Sequence, residues 1–282
     1  MIVARRLLLA PALLVGLAAA APVRSADDPR AGFVAHRAVY EMSLDQTTER
    51  AEIASVSGRL VYEFTGSTCD GFDTRLRLVT RMGGREGESR LVDRRSSSHE
   101  DGAGTSFDFL TESFVDGRRT ENAKGSARRD GDAVRLRLDR PAPKSVDLPG
   151  RLRFPTEHMA EIVAAARAGR TILDIDFFEG ADDGEKVWRT TVVIGAEQTG
   201  PDDTAEEPAA VSDLLKGHRR WPVTVSFFDP AKPAEGEEVP DQLLGFVLYD
   251  NAVSRRLRFD YGSFSAKGTL SSLEPLPAAP CR

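Results

Sequence analysis

Residues 74–79 read Thr-Arg-Leu-Arg-Leu-Val, and residues 134–138 read Val-Arg-Leu-Arg-Leu. Apolar and charged side chains alternate one by one, the period of a strand with one wet and one buried face. The alternation returns at 188–194 (Trp-Arg-Thr-Thr-Val-Val-Ile) and at 257–261 (Leu-Arg-Phe-Asp-Tyr). Turn-forming pairs lie between such stretches: Gly83-Gly84, Asp116-Gly117, Asp130-Gly131 and Asp183-Gly184. Asp-Gly between alternating segments signals a hairpin. The pattern predicts antiparallel strands over 34–45, 52–65, 71–82, 88–99, 105–116, 119–129, 133–139, 171–178, 186–195, 222–229, 242–250, 253–261 and 263–271. Strands at this spacing build a barrel, a sandwich or a rolled sheet.

One segment breaks the period of two. In 156–169, Met159, Ile162, Val163 and Ala166 fall three and four apart, with Thr156 as N-cap and Gly169 as the stop. That predicts a helix of about three turns. A shorter helix is expected over 209–216. Arg140-Pro141-Ala142-Pro143-Lys144 reads as a connector, as does the acidic stretch 198–208. Neither separates two self-sufficient cores, so the expectation is one all-β domain with one packed α-helix.

The chain has 282 residues, 40% hydrophobic and 29% charged, which allows a sizeable core beneath a solvated surface. Lys+Arg number 38 against 44 Asp+Glu, for a net charge of −6. An acidic chain gives no footing for nucleic-acid binding.

The first residues indicate the compartment. Arg5 and Arg6 precede an uncharged run from Leu7 to Ala20, which ends in small residues. This is the order of a signal peptide, and about 14 apolar residues fall short of the ~20 needed to span a bilayer. Cleavage is expected after Ala20, giving a signal peptide over 1–20, with a site near Ser25 or Ala26 as the alternative. No cysteine lies close enough for lipid attachment, and Ala4 before the arginine pair favours the general export route over twin-arginine export. The expectation is a soluble periplasmic protein without a transmembrane anchor.

Export into an oxidising compartment frames the two cysteines, Cys69 and Cys281. They read either as one disulfide or as two separate thiols, one of them reactive. A bridge would close a long loop and stabilise by about 5 kcal/mol in the chain-entropy model, more often 2–4 when measured. It would staple down a terminal segment that holds Pro275, Pro277 and Pro280 and so cannot form a regular ladder.

Candidate chemistry is sparse. His36, His99, His158 and His218 fall on different elements with no metal-ligand spacing. There is no G-x-S-x-G elbow, G-x-G-x-x-G turn or phosphate loop. The carboxylates Asp174, Asp176, Glu179, Asp182, Asp183 and Glu185 lack the spacing of a calcium loop. Arg118, Arg119, Arg128 and Arg129 form a basic run interleaved with Glu121, Asp130 and Asp132, which suits a charged strand surface. Phe177-Phe178 and Phe227-Phe228 must point to opposite faces, so one ring of each pair is free to line a groove. No cofactor, no metal and no catalytic residue is expected.

Several short stretches together resemble the EipB-like cell-envelope-integrity family. They are His36-Arg37-Ala38-Val39-Tyr40, Thr68-Cys69-Asp70-Gly71-Phe72, Phe154-Pro155-Thr156-Glu157-His158-Met159 and Trp221-Pro222-Val223. The C-terminal blocks at 249–255, 260–264 and 273–277, with Cys281, complete the set. The resemblance covers 33–282 and implies a periplasmic protein of a Gram-negative envelope. It further implies one antiparallel rolled sheet, a β-spiral or half-barrel similar to periplasmic lipoprotein carriers, with Cys69 and Cys281 as its disulfide. Asn251-Ala252 stands where an Asn-Gly turn is usual, so the local turn is expected to differ. The resemblance supplies no catalytic residues.

Three functions follow, in order. The first is a non-enzymatic binding or scaffolding module for envelope integrity, a monomer that engages an envelope protein or a lipid partner. The second is a carrier of a lipid or other hydrophobic ligand on the concave face, which an open cavity lined by aromatics would favour and a filled interior would exclude. The third is a hydrolase with an unrecognised site.

Overall fold

The alternating stretches become strands, and each turn cluster becomes the link between two of them. The computed structural model describes residues 28–49, 51–201, 204–232 and 236–278; the expected signal peptide and Cys281 lie outside the described residues. The strands are β1 (His36–Thr47), β2 (Ile53–Ser67), β3 (Gly71–Gly84), β4 (Ser89–Glu100), β5 (Ser106–Val115), β6 (Arg118–Asp130), β7 (Ala133–Arg140) and β8 (Lys144–Leu148). After the helix α1 (Pro155–Arg167) come β9 (Ile172–Phe178), β10 (Val187–Ile194), β11 (Arg220–Phe228), β12 (Gln242–Tyr249), β13 (Ser254–Asp260) and β14 (Phe264–Pro275).

All 14 strands belong to one sheet, in the order β8-β7-β6-β5-β4-β3-β2-β1-β14-β13-β12-β11-β10-β9, every neighbour antiparallel. The first strand pairs with both the second and the last, so two meanders meet along β1. The two edges, β8 and β9, are successive in sequence and joined through α1. The roll is not closed by a ladder between them. A single bridge crosses the gap: Arg153 N–H donates to the Asp176 carbonyl (2.7 Å), and Phe178 N–H donates to the Arg153 carbonyl (2.9 Å). The architecture is the expected rolled antiparallel sheet, with one α-helix among the described residues.

α1 lies at the rim where β1 begins and where β4, β6 and β12 end. Its first free N–H groups find a carboxylate from the sheet: Glu100, the last residue of β4, accepts from Thr156 N–H (2.8 Å) and Glu157 N–H (3.2 Å). Such groups have no partner within a helix and must be satisfied from outside. Arg129, near the end of β6, donates to the Leu152 carbonyl (2.8 Å) and pairs with Glu157. At the other end, Arg167 donates to the Asp250 carbonyl (3.2 Å), just past β12. The helix buries Ile162, Val163, Ala165 and Ala166 against Tyr40, Leu60, Leu173, Val192 and Trp221. A second cluster, built on Phe107, Phe109, Leu136, Leu152, Phe154 and Phe178, fills the side next to the β8/β9 gap.

Three local expectations are refined. The helix starts at Pro155 with Phe154 as N-cap, so Thr156 sits inside its first turn, while Gly169 follows the C-cap with φ +72°. The connector Arg140–Lys144 is shorter than expected, because Lys144–Leu148 pairs with β7 as an edge strand. The stretch 209–216 forms two 3₁₀ turns, Pro208–Val211 and Asp213–Leu215. Ser212 separates them, its hydroxyl accepting from Leu214 N–H (3.3 Å).

Candidate functional site

The interior of the roll is incompletely filled because of β4. Inward-facing positions on β2 and β3 carry Leu60, Tyr62, Phe64, Leu76 and Leu78, and those on β5 carry Phe107 and Phe109. The matching inward positions on β4 are Arg94, Ser96 and Ser98, in register with Leu78, Leu76 and Thr74. Two hydroxymethyl groups, Ser96 beside Leu76 and Ser98 beside Phe109, leave space, and a partly open cavity of about 390 Å³ results. That lies at the small end of ligand cavities, which run to about 1,000 Å³.

Its two ends differ. The end under α1 is walled by Phe33, His36, Phe64, Phe107, Thr156 and Met159. At the opposite end stand Arg94, Glu179, Gln242 and Tyr261, and Tyr261 is 40% exposed, so the cavity meets solvent there. Val225, Phe227, Leu244, Phe246, Leu257 and Phe259 form the far wall. Phe177 lines the cavity while Phe178 points into the second cluster; Phe227 lines it while Phe228 lies outside under the Arg189 guanidinium. Each pair divides between two faces, as adjacent strand positions must.

The histidines are dispersed. His36 is 1% exposed, and its Nδ1–H donates to the Val34 carbonyl (2.8 Å). His158 Nε2 lies 3.1 Å from Thr190 Oγ1, whose hydroxyl donates to the Ile175 carbonyl (2.8 Å). The threonine therefore accepts from the imidazole, which fixes the proton on Nε2. Burial pushes the His158 pKa down to about 4 and lowers that of His36. Both are neutral at physiological pH. His99 faces Asp73 (3.0 Å) on the outer surface, and His218 faces Asp250 (2.6 Å) near the rim.

The acidic residues also separate. Asp174 accepts from the Thr191 hydroxyl (2.7 Å), Glu185 from Lys144 (2.8 Å), and Asp183 from Glu185 N–H (2.9 Å). Glu179 alone of the group lines the cavity; burial raises its pKa, with Arg94 pulling it back. Among the described residues no cluster of three or more His, Cys, Asp or Glu is placed to hold a metal ion. The basic run also divides, for Arg129 is bound into the α1 junction while Arg119 pairs with Glu112 (3.5 Å). A shallow depression on the outer face, with Asp73, Asp108 and Asp139 set against Arg75, Lys124 and Arg137, is charge-balanced.

Two buried features missed in the sequence are structural. Glu100 is 2% exposed beneath α1, and burial pushes its pKa up to about 7. Glu207 and Arg255, each with a side chain 2% exposed, form an ion pair (2.8 Å). Glu207 also accepts from the backbone N–H groups of Arg256 (3.0 Å) and Leu270 (2.9 Å). This ties the segment before Pro208 to β13 and β14. In the 249–253 turn Ala252 takes φ +70°, the left-handed conformation that glycine more often supplies, and the buried Asn251 side chain donates to the Leu214 carbonyl (2.7 Å).

Cys69 lies in the turn between β2 and β3, its N–H directed at the Ser67 hydroxyl (3.3 Å). Phe64 is opposite His36, which is opposite Pro275. The chain leaving β14 thus emerges at the rim that carries Cys69, two strands away.

A rolled meander with an apolar cavity under a rim helix is a fold that can be compared as a whole, and the sequence profile of the EipB-like family matches residues 28–277. The chain belongs to the EipB-like family. Cell envelope integrity protein EipB of Brucella abortus (strain 2308) is 36% identical to this EipB-like chain over 259 residues, covering 92% of this chain and 89% of that protein. The crystal structure of a β-barrel-like protein of a domain of unknown function, DUF1849, from Brucella abortus superposes with a TM-score of 0.78 at 35% identity. It covers 87% of this chain and 99% of that one.

Proposed function

We propose that this EipB-like protein supports cell-envelope integrity from the periplasm as a non-enzymatic binding module, holding a hydrophobic ligand inside the roll. The observation that carries the reading is the cavity itself: apolar on most sides, partly open at one end and roofed by α1 at the other. The related Brucella protein, named for cell envelope integrity, supports the setting. The non-enzymatic part rests on the site's polar groups. The Thr190–His158 contact has its proton running from imidazole to hydroxyl, opposite to what an activated nucleophile needs.

A signal peptide over 1–20, one ligand-holding unit over 33–282 and a Cys69–Cys281 bridge belong to the same reading. Strands about 4.8 Å apart place the two rim positions roughly 10 Å from each other. The stretch from Pro275 to Cys281 can reach roughly 20 Å when extended.

Native mass spectrometry of protein purified from a periplasm tests this. The expected result is a mature mass consistent with cleavage after Ala20, lacking two hydrogens before reduction, and an adduct that leaves as an apolar molecule. A chain carrying no adduct, and taking up no hydrophobic dye when titrated, would overturn the ligand reading. A partner protein is the second reading, favoured by Ile172 and Val193. These are 59% and 47% exposed and directly opposed on β9, at the edge of the sheet, and β10. Crosslinking in intact envelopes that captures one protein through this pair would support it.

A further inference from the structure

Arg94 is an unusual wall for an apolar cavity. In its interior row Tyr40 faces Leu60, Leu60 faces Leu78, and Leu78 faces Arg94. A guanidinium thus occupies a place where neighbouring strands set apolar side chains. On the outer face of the same sheet, Arg77 and Arg95 are both paired with Asp93 (3.0 and 2.7 Å). Arg94 is different: it is half-buried and lines the cavity, and its side chain makes no ion pair or hydrogen bond with the described residues. Glu179 and Tyr261 lie within its field without closing on it. An unpaired charge against apolar walls is costly unless something pairs with it. The planar five-donor fork of arginine matches a carboxylate or phosphate.

We propose that the cavity takes a single-chain amphiphile with an anionic head group, the head at Arg94 and the tail lying over Leu78, Leu76 and Phe64 toward α1. This rests on the ligand-holding reading above and names the ligand's chemical class. The direction follows from the two ends: the polar end opens to solvent beside Tyr261, and the apolar end is closed by the helix. From Arg94 to Ser98 the β4 backbone rises about 13 Å, room for a tail along the strand. The volume of about 390 Å³ suits one chain rather than two. Glu179, the carboxyl nearest this end, has its pKa raised by burial, which lessens its opposition to an anionic head group. Carboxylate and phosphate heads share this chemistry and are separated by the test.

The measurement is displacement of the neutral dye N-phenylnaphthylamine from the full mature chain, below micelle formation. The competitors are dodecanoate, dodecyl phosphate, dodecanol and dodecyltrimethylammonium. The anionic pair is expected to compete about tenfold or more tightly than dodecanol and the cation, and the tighter of the two identifies the head group. Arg94→Gln should remove that preference while dodecanol affinity stays unchanged, and Arg94→Lys should keep part of it. Far-ultraviolet circular dichroism of both variants checks that they fold. Equal affinity for all four, or an anion preference that survives Arg94→Gln, overturns the head-group assignment and leaves the ligand-holding reading standing. Failure of the dye itself to bind overturns both.

Discussion

At the scale of single residues, Glu100 and His158 oppose one another as proton sinks. The Glu100 carboxyl is raised from 4.5 to about 7 by burial, so the folded state holds its proton more tightly than the unfolded chain does. Its contribution to stability is full below pH 4.5 and is lost as pH rises through 7. His158 is lowered from 6.5 to about 4, again by burial. Its contribution is full above pH 6.5 and is lost as pH falls through 4. Between about pH 4.5 and 6.5 the two slopes oppose, each on the order of 1.4 kcal/mol per pH unit at most. Unfolding midpoints measured across this range should separate them. Relative to the parent, Glu100→Gln becomes progressively less stable as pH falls, and His158→Gln progressively more stable. Difference curves that stay flat in both variants would show that neither group titrates as its burial requires.

At the scale of elements, the 179–185 turn between β9 and β10 packs against β5–β7. Gly180 has φ +68° and lies against the Phe109 ring, so a Cβ there would overlap the ring. Gly180→Ala should cost about 1–3 kcal/mol through strain and overpacking, read as a lower urea midpoint with an unchanged slope. The strands with strict alternation, such as 74–79 and 134–138, were legible because one face is wet and the other apolar. The helix was legible from the spacing of Met159, Ile162, Val163 and Ala166, although Pro155, suited to a first helical position, opens it one residue before Thr156. β8 was not legible: Lys-Ser-Val-Asp-Leu is short, polar and flanked by prolines, and only pairing with β7 makes it a strand. The site was also hidden, because an inward serine on β4 reads in sequence like any polar residue. The signal was present in Arg94-Arg95-Ser96-Ser97-Ser98, a stretch of the predicted strand 88–99 with no large apolar residue to face the core.

At the scale of the molecule, one sheet wraps a cavity and leaves one edge gap, so its shape depends on how its ends are held. Replacing Cys69 and Cys281 together by serine should lower stability by about 2–4 kcal/mol under oxidising conditions. Under reducing conditions the loss should vanish. An unchanged melting temperature in oxidising buffer would remove the staple. The sequence resemblance carried the family and the rolled sheet, and the paired phenylalanines pointed to a groove, but the extent of the enclosed space was not legible, because a cavity is a property of facing strands. The most direct measurement fills that space in cells. Leu76→Trp, at the middle of the inward row, should block dye binding while retaining the sheet's circular dichroism. In a strain lacking the native gene, the parent protein is expected to restore resistance to detergent, and Leu76→Trp, at equal periplasmic abundance, is expected to fail. Full resistance with the cavity blocked would contradict a role that works through a bound ligand.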